Sequence, residues 1–228
     1  MTNFSHEPAN ALFLDGLRYL QGDGVPQDFE KAIHFFRQAA GLGQPGAQFN
    51  IGSMYLQGCG VQRNPQLAIE WYRQAAEHAD PELLHNIGQM VEAENETFDA
   101  WDLAVSCYTN AAKAGNSESQ AMLGIRYFQG DGVKEDRTLG VEYLESAAAQ
   151  GHPNALAFLG RLYEHGVLGA PNLPHAALLY YLASVQGHPK AKDWGVDLVN
   201  RMPAEQQQDA AERINAAKAS FATPDKAD

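Results

Sequence analysis

The chain repeats itself every 36 residues, and no other feature of the sequence constrains its fold as strongly. Two columns of small residues keep this period through five repeats without slipping by one position. Periods of 20 to 50 residues are typical of stacked supersecondary units, each of which packs mainly on its neighbours. The sequence therefore predicts a repeat architecture. The glycine column is Gly16, Gly52, Gly88, Gly124 and Gly160, and the alanine column is Ala39, Ala75, Ala111, Ala147 and Ala183.

Each repeat reads as a pair of helices. In the second repeat, Ala47, Ile51 and Tyr55 recur at the spacing of an amphipathic helix, and the glycines of residues 58–61 end it. Asn64 then precedes a proline, which is the usual start of a second helix. Four of the five repeats carry a good N-cap residue at this position. The column is Asp28, Asn64, Ala100, Asp136 and Asn172.

The glycine column lies inside the first helix of each repeat and requires a physical reason. A glycine in a helix interior costs about 1 kcal/mol relative to alanine. Five glycines at one register indicate that another part of the chain approaches the backbone closely there. We expect the partner to be the small pair on the second helix, Ala39 and Ala40 in the first repeat.

These residues resemble the Sel1-like repeat family, a relative of the tetratricopeptide repeats. The resemblance is carried by AQFNIGSMY at 47–55, GCGV at 58–61 and AIEWYRQAA at 68–76. It implies an all-α fold: a right-handed superhelical solenoid of about five helix-pair repeats, a partial sixth and a C-terminal capping helix, with the first helices lining a concave face. We predict a lead-in at 1–8, a solenoid at 9–202 and a capping helix and tail at 203–228. The predicted repeats are 9–44, 45–80, 81–116, 117–152, 153–188 and the partial 189–202.

The resemblance also implies a class of function. Family members typically act as adaptors or regulators in protein complexes, some bacterial members neutralise secreted toxins, and some cysteine-rich relatives are linked to β-lactam hydrolysis. The sequence lacks the Ser-x-x-Lys, Gly-x-Ser-x-Gly and His-Glu-x-x-His motifs of common hydrolases. We therefore predict a non-catalytic protein-binding scaffold, either an adaptor, a regulator or an immunity protein. A hydrolase of the β-lactam or amide type is the alternative.

The amino-acid composition limits the classes of partner that the chain is expected to bind. The net charge of −12 and the pI near 5.0 oppose binding to a nucleic-acid backbone. The N-terminal segment does not read as a secretory signal, and no segment has the apolar run that crosses a membrane. Cys107 takes a helix position that holds large apolar residues in other repeats, which predicts a buried thiol, and Cys59 lies in a loop. We predict a cytoplasmic protein without a cofactor or metal, monomeric or weakly self-associating.

The third repeat departs most from the period. It replaces the glycine loop with an acidic segment, and no Lys or Arg lies between Arg73 and Lys113. Glu92, Glu94 and Glu96 belong to this segment, and Phe98 and Trp101 follow it. One interpretation is a patch for a protein or peptide with a basic surface, anchored by an aromatic residue. The other is a solvated loop with Trp101 in the core.

The fifth repeat carries a different loop, in which Glu164, His165 and His175 lie among glycines and prolines. Their spacing matches no familiar metal site, so surface histidines are the favoured interpretation.

A concave groove is predicted from the helical register. Positions one, four and five after each column glycine are expected to face outward, together with His85 at position minus three. Such positions either bind a protein segment or pack against neighbouring helices, and the sequence leaves both open. The candidate protein-binding residues are Leu17, Leu20, Gln21, Ser53, Leu56, Gln57, His85, Gln89, Glu92, Glu94, Glu96, Ile125, Phe128, Gln129, Arg161, Glu164 and His165.

Overall fold

The computed structural model describes residues 7–93 and 98–222, and over these residues the chain forms helices and turns only. This confirms the all-α prediction. Odd-numbered helices from α1 to α9 are the first helices of the five repeats, and even-numbered helices from α2 to α10 are the second helices. The elements are α1 (Glu7–Gln21), α2 (Phe29–Gly41), α3 (Pro45–Gln57), α4 (Pro65–Ala76), α5 (Pro81–Ala93), α6 (Phe98–Lys113), α7 (Ser117–Gln129), α8 (Arg137–Ala149), α9 (Pro153–Glu164), α10 (Leu173–Val185), α11 (Ala191–Arg201) and α12 (Ala204–Ala222).

The second helices begin where the capping column predicts in four repeats. The side chain of Asp28 accepts a hydrogen bond from the Lys31 amide at 2.9 Å, and those of Asn64, Asp136 and Asn172 accept equivalent bonds at 3.1 Å. Each bond satisfies an amide that the first helical turn leaves without a partner. In the third repeat α6 begins at Phe98, ahead of the capping column, so its start differs from the prediction.

The described chain divides into two compact units, residues 1–116 and 117–228, which we call the N-terminal unit and the C-terminal unit. In the N-terminal unit each first helix packs on the second helix that follows it, as α1 on α2, α3 on α4 and α5 on α6. In the C-terminal unit α7 packs on α8 and α9 on α10 in the same way. Within each unit successive repeats pack through neighbouring helices, as α2 on α3 and α4 on α5 in the N-terminal unit and α8 on α9 in the C-terminal unit.

The glycine column makes room for a large residue of the second helix, which the sequence analysis did not foresee. A methyl group at Gly88 would lie 2.6 Å from the Tyr108 ring, and one at Gly52 would lie 2.7 Å from the Tyr72 ring. Real contacts of this kind are much longer, so only glycine fits. The expected partner pair, Ala39 and Ala40, is wrong. We call the partners the large-residue column: Phe36, Tyr72, Tyr108, Leu144 and Tyr180.

Small residues of the second helix also face the glycine column, but one turn before the large-residue column. The carbonyl of Ala68 would lie 3.1 Å from a methyl group at Gly52, and that of Gly140 would lie 2.9 Å from one at Gly124. The helices of a repeat therefore cross closely at a small residue and then separate to admit a ring or a leucine. The alanine column, including Ala39, is fully buried and lies elsewhere in the cores of the two units.

The C-terminal unit ends with a change in packing. The partial sixth repeat supplies α11, which packs on α10, while α12 contacts α10 far more than it contacts α11. Met202 and Ala210 join Tyr180 in the buried cluster that holds these helices together. Residues 204–222 thus form the predicted closing helix, and it seals α10.

Candidate functional site

The first helices present one exposed stripe to solvent. It follows positions six and two before the column glycine and one and five after it, a helical spacing that keeps the four positions on one side. We call this stripe the first-helix face. In the N-terminal unit it comprises Asn10, Leu14, Leu17, Gln21, Gly46, Asn50, Ser53, Gln57, Glu82, Asn86, Gln89 and Ala93, and in the C-terminal unit Glu118, Met122, Ile125, Gln129, Asn154, Phe158, Arg161 and His165, all of them exposed or half-buried.

The sequence analysis found half of this face. Its positions one and five after the glycine are outward as expected, but it missed the positions two and six before. Leu14, which is 57% exposed, and Phe158 are among those it missed. The helical spacing itself was the available signal, because position minus two lies three residues from position plus one. Two expected outward residues are buried instead: Leu56 at 6% exposure and His85 at 7%.

His85 is buried because it packs on the large-residue column. Its ring centroid lies 5.6 Å from that of Tyr108, in the place where Phe49 packs on Tyr72 at 5.5 Å. Position minus three is therefore a scaffold position in these repeats.

Position four after the glycine serves the scaffold rather than solvent. The hydroxyl of Tyr108 donates a 2.8 Å hydrogen bond to Glu92, and that of Tyr180 donates one of 2.7 Å to Glu164. A buried phenol hydroxyl needs such a partner, since leaving it unpaired costs free energy. The two glutamates are thus explained by the tyrosines beneath them.

The remaining repeats support this pairing. Where the large-residue column holds Phe36, position plus four is Leu20, and where it holds Leu144, position plus four is Phe128. Leu20 and Phe128 are half-buried and pack on the cores of their units. In the second repeat the Tyr72 hydroxyl lies 3.0 Å from the Ser53 hydroxyl instead, and position plus four is the buried Leu56. In all five repeats the residue at position plus four is buried or half-buried.

The N-terminal unit has an open cavity of about 680 Å³ on its first helices. Phe13 of α1, residues 44–46 at the start of α3, and Glu82 and Asn86 of α5 all line it. Asp80 also lies at its rim, where its carboxylate caps α5 by accepting from the Leu83 amide at 2.8 Å. The cavity is therefore concave, with apolar and acidic parts.

The acids that line this cavity, Asp80 and Glu82, precede the acidic segment of the third repeat. Glu94 and Glu96 lie outside the described residues, and Glu92 is bound to Tyr108. Trp101 is half-buried. Glu82 and Asp80 are exposed, so both acids at the start of α5 are available to a partner.

The C-terminal unit carries a more apolar first-helix face. The rings of Phe128 and Phe158 meet edge to face with centroids 5.6 Å apart, and Ile125 is half-buried beside the core. The guanidinium of Arg137 lies 5.4 Å from the centre of the Phe128 ring. Arg161 follows Phe158 by one helical turn and is exposed.

Three histidines of the C-terminal unit, His152, His165 and His175, lie at the ends of helices. The Nδ1 atom of His152 accepts from the Ala155 amide at 3.4 Å, and its Nε2 atom lies 3.0 Å from a carboxylate oxygen of Glu118. The ring of His175 meets that of Tyr163 edge to face at 4.6 Å, while His165 ends α9 and is exposed. Within residues 7–93 and 98–222, no three His, Cys, Asp or Glu side chains cluster as metal ligands.

The two cysteines differ in their surroundings. Cys107 is 1% exposed, which confirms the predicted buried thiol, and burial raises its pKa to about 11 against a smaller opposing effect of Arg73. Cys59 is half-buried in the loop after α3, and its Sγ lies 3.7 Å from the Gln57 side-chain oxygen.

Comparison with known proteins agrees with this architecture. A family model described as Sel1 repeat matches residues 9–44, 45–80, 117–152 and 153–188. The chain belongs to the Sel1 repeat family. Proteins of this family typically serve in protein–protein interaction and are generally non-catalytic scaffolds. The family model does not match the third repeat, which is the repeat with the acidic segment and the early start of α6.

Solved structures extend the comparison. A Sel1 repeat protein from Oxalobacter formigenes is 30% identical, with a TM-score of 0.69, and the match covers 97% of this chain and 91% of that one. A protective antigen of uropathogenic Escherichia coli with an SLR fold is 28% identical, with a TM-score of 0.74 and 93% of this chain covered. This chain spans 46% of that antigen's length. An immunity protein from Pseudomonas aeruginosa matches at 20% identity and a TM-score of 0.44, over 92% of this chain and 82% of that one.

No curated protein matches the chain. In the part of the chain that the structure describes, no helix combines the length and apolar character of a membrane span.

Proposed function

We propose that this Sel1 repeat protein is a non-catalytic adaptor that binds a protein segment on its first-helix face. The observation that carries the proposal is the concave cavity of about 680 Å³ on the first helices of the N-terminal unit. It combines an aromatic wall at Phe13 with exposed acids at Asp80 and Glu82. Concave sites with an apolar floor and a few polar groups are where proteins bind segments of their partners.

The chemistry of the cavity favours a segment with both apolar and basic residues. The half-buried Phe13 ring offers an apolar surface, and its own position is supported by the Phe36 ring at 5.9 Å. Glu82 is exposed and makes no ion pair with any described residue. A lysine or arginine of the partner would therefore gain a local counter-ion there, as complementary interfaces do. The net charge of −12 would also raise the encounter rate of a basic partner.

A charge reversal at the cavity tests this proposal. We expect Glu82→Arg to abolish or weaken partner binding at least tenfold, because it removes the counter-ion and adds a like charge. The matched control is Glu70→Arg, which makes the same change at an exposed position of the second helix α4. A photo-crosslinking residue at Asn86 would capture the partner in extracts of the source organism, and one at Glu70 would not.

The outcomes separate clearly. An adduct at Asn86 that is lost in Glu82→Arg supports the assignment. Equal adducts at Asn86 and Glu70, or binding that Glu82→Arg leaves unchanged, would place the partner elsewhere. Circular dichroism of both variants shows that the repeats remain folded.

The alternative of an amide or β-lactam hydrolase gains no support from the described residues. Glu92 and Glu164, two half-buried glutamates of the first helices, both accept hydrogen bonds from buried tyrosines. An immunity function remains a special case of protein binding. The fold likeness to the immunity protein has a TM-score of 0.44, which carries no argument for it.

A further inference from the structure

A second, chemically different cavity lies in the C-terminal unit. It has a volume of about 280 Å³ and lies between α9, α10 and α11. Two arginines, two carboxylates and two aromatic rings line it, which is a denser set of recognition groups than elsewhere on the described first helices. The lining residues are Arg161, Glu164, Tyr180, Trp194, Asp197 and Arg201.

Four of these six side chains already form hydrogen bonds or ion pairs with one another. Glu164 is 13% exposed and accepts from the Tyr180 hydroxyl at 2.7 Å and from the Arg201 guanidinium at 2.9 Å. Arg201 also meets Asp197 at 3.2 Å. Burial alone would raise the pKa of Glu164, but the hydrogen bonds from Tyr180 and Arg201 outweigh it and hold the pKa below its ordinary value. Glu164 therefore stays ionised and occupied.

Arg161 is the group without a partner. It lines the cavity from α9, yet it makes no hydrogen bond or ion pair with any residue that the structure describes. A guanidinium has five N–H donors in a planar fork that matches a carboxylate, so the exposed Arg161 is available to a carboxylate ligand. Asp197 does not fill this need, because it is bound to Arg201 and is 71% exposed to water.

The surroundings indicate what accompanies the acceptor. Phe158 lies one helical turn before Arg161 on the same face, and the Trp194 ring meets Tyr180 edge to face at 5.8 Å. Trp194 and Tyr180 line the cavity together with Arg161, so the cavity has an aromatic part beside the guanidinium. A peptide bound on the first-helix face of α9, which includes Phe158 and Arg161, would place a side-chain carboxylate within reach of the cavity.

We propose that the cavity between α9, α10 and α11 binds the carboxylate of an aspartate or glutamate side chain in an otherwise apolar partner segment, with Arg161 as the donor. The inference rests on the proposed protein-binding function and assigns a second, oppositely charged contact to it. The N-terminal unit would select a basic residue at Glu82, and the C-terminal unit an acidic residue at Arg161.

Short peptides test this assignment on the purified full chain. The probes are acetyl-Phe-Glu-amide, acetyl-Phe-Gln-amide and acetyl-Phe-Gln with a free C-terminal carboxylate. The readout is the NMR signal of the Trp194 indole N–H, identified by its loss in Trp194→Phe. We expect the glutamate peptide to shift this signal and to bind about tenfold more tightly than the glutamine amide, as one charge-assisted pair would give.

Arg161→Gln should remove the preference for the glutamate peptide. Arg161 is exposed and unpaired among described residues, so the variant is expected to fold, and circular dichroism verifies it. The matched control is Lys134→Gln, which removes one exposed positive charge elsewhere in the C-terminal unit. It should keep the preference, whereas raised salt should reduce the affinity of wild type.

Three results would overturn the assignment. The first is equal binding of the two amides, and the second is a preference that Arg161→Gln leaves intact. The third is binding of the free-carboxylate peptide alone, which would make the site one for chain ends. If Glu82→Arg blocks the partner while the peptides fail to bind, only this inference is wrong. If neither face binds its ligand, the proposed function is wrong as well.

Discussion

At the scale of single residues, the large-residue column explains most of what the sequence repeats. Each column glycine exists because a ring or leucine of the next helix occupies the space of its side chain. Where that ring belongs to Tyr108 or Tyr180, a glutamate accepts a hydrogen bond from the tyrosine hydroxyl. One buried residue therefore determines both a glycine and a glutamate on the preceding helix.

Substitution of a column glycine should destabilise the fold. In Gly52→Ala the new methyl group would lie 2.7 Å from the Tyr72 ring and 3.1 Å from the Ala68 carbonyl. We expect a loss of about 1–3 kcal/mol in the free energy of unfolding, since overpacking forces side chains and backbone to move. Chemical denaturation measures the change.

Gly41→Ala is the matched control for that variant. Gly41 ends α2, and a methyl group there would have no neighbour within 4 Å. We expect this substitution to be neutral or to stabilise by up to about 1 kcal/mol through helix propensity. A similar loss in both variants would show that the Tyr72 contact is not the cause.

The two cysteines should react at very different rates. The pKa of Cys107 is raised to about 11 by burial, and the residue is 1% exposed, so it carries almost no thiolate at pH 8 and admits no reagent. We expect a disulfide reagent to modify one thiol, Cys59, in the native protein and both in denaturant. Cys59→Ser serves as the control and should abolish the native reaction. Fast modification of Cys107 in the native protein would contradict its burial.

At the scale of elements, the N-cap residue determines where a second helix begins, whereas buried residues of several helices determine how the helices pack. The caps at Asp28 and Asn64 determine where α2 and α4 begin, and a short side chain suffices for that. The docking of α12 on α10 has no such local signal. It depends on Met202 and Ala210 reaching the cluster around Tyr180.

Acid should loosen the end of the C-terminal unit through His175. Burial, and to a smaller extent Arg213 of α12, lowers the pKa of His175 below its ordinary 6.5. The folded state then binds fewer protons than the unfolded state as the pH falls through 6.5, so stability decreases on acidification from pH 7.5 to 5. His188 contributes in the same direction, since burial also lowers its pKa.

Replacing His175 measures this effect. His175→Phe keeps a ring against Tyr163 and removes the titrating group, so the slope of unfolding free energy against pH should become shallower by less than ~1.4 kcal/mol per pH unit. His34→Phe makes the same change at an exposed position of α2 and serves as the matched control. An unchanged slope in His175→Phe would assign the acid sensitivity to other groups.

At the scale of the whole molecule, the two compact units share one set of packing rules and differ in their surfaces. The cavity of the N-terminal unit has acids at its rim, whereas the first-helix face of the C-terminal unit carries Met122, Ile125 and Phe158 beside Arg161, which has no ion pair among the described residues. The buried glycine and alanine columns keep one residue type through the period, whereas each exposed first-helix position holds at least three residue types over the five repeats. This division is what a repeat scaffold needs to recognise a specific partner.

The sequence by itself determined the period, the helix pairs, four of the second-helix caps and the membership of the repeat family. These follow from interactions within about one turn or from spacing along a helix, which the order of residues contains directly. It also located half of the first-helix face.

Only the tertiary structure decided which of the remaining positions are exposed. Four residues have the helical register of surface residues but are not free at the surface. Leu56 is buried, and His85, Glu92 and Glu164 each contact a tyrosine of the next helix. Arg161 has the same register and is left unpaired among the described residues. The difference lies in contacts between helices distant along the chain, and neither periodicity nor composition carries that information.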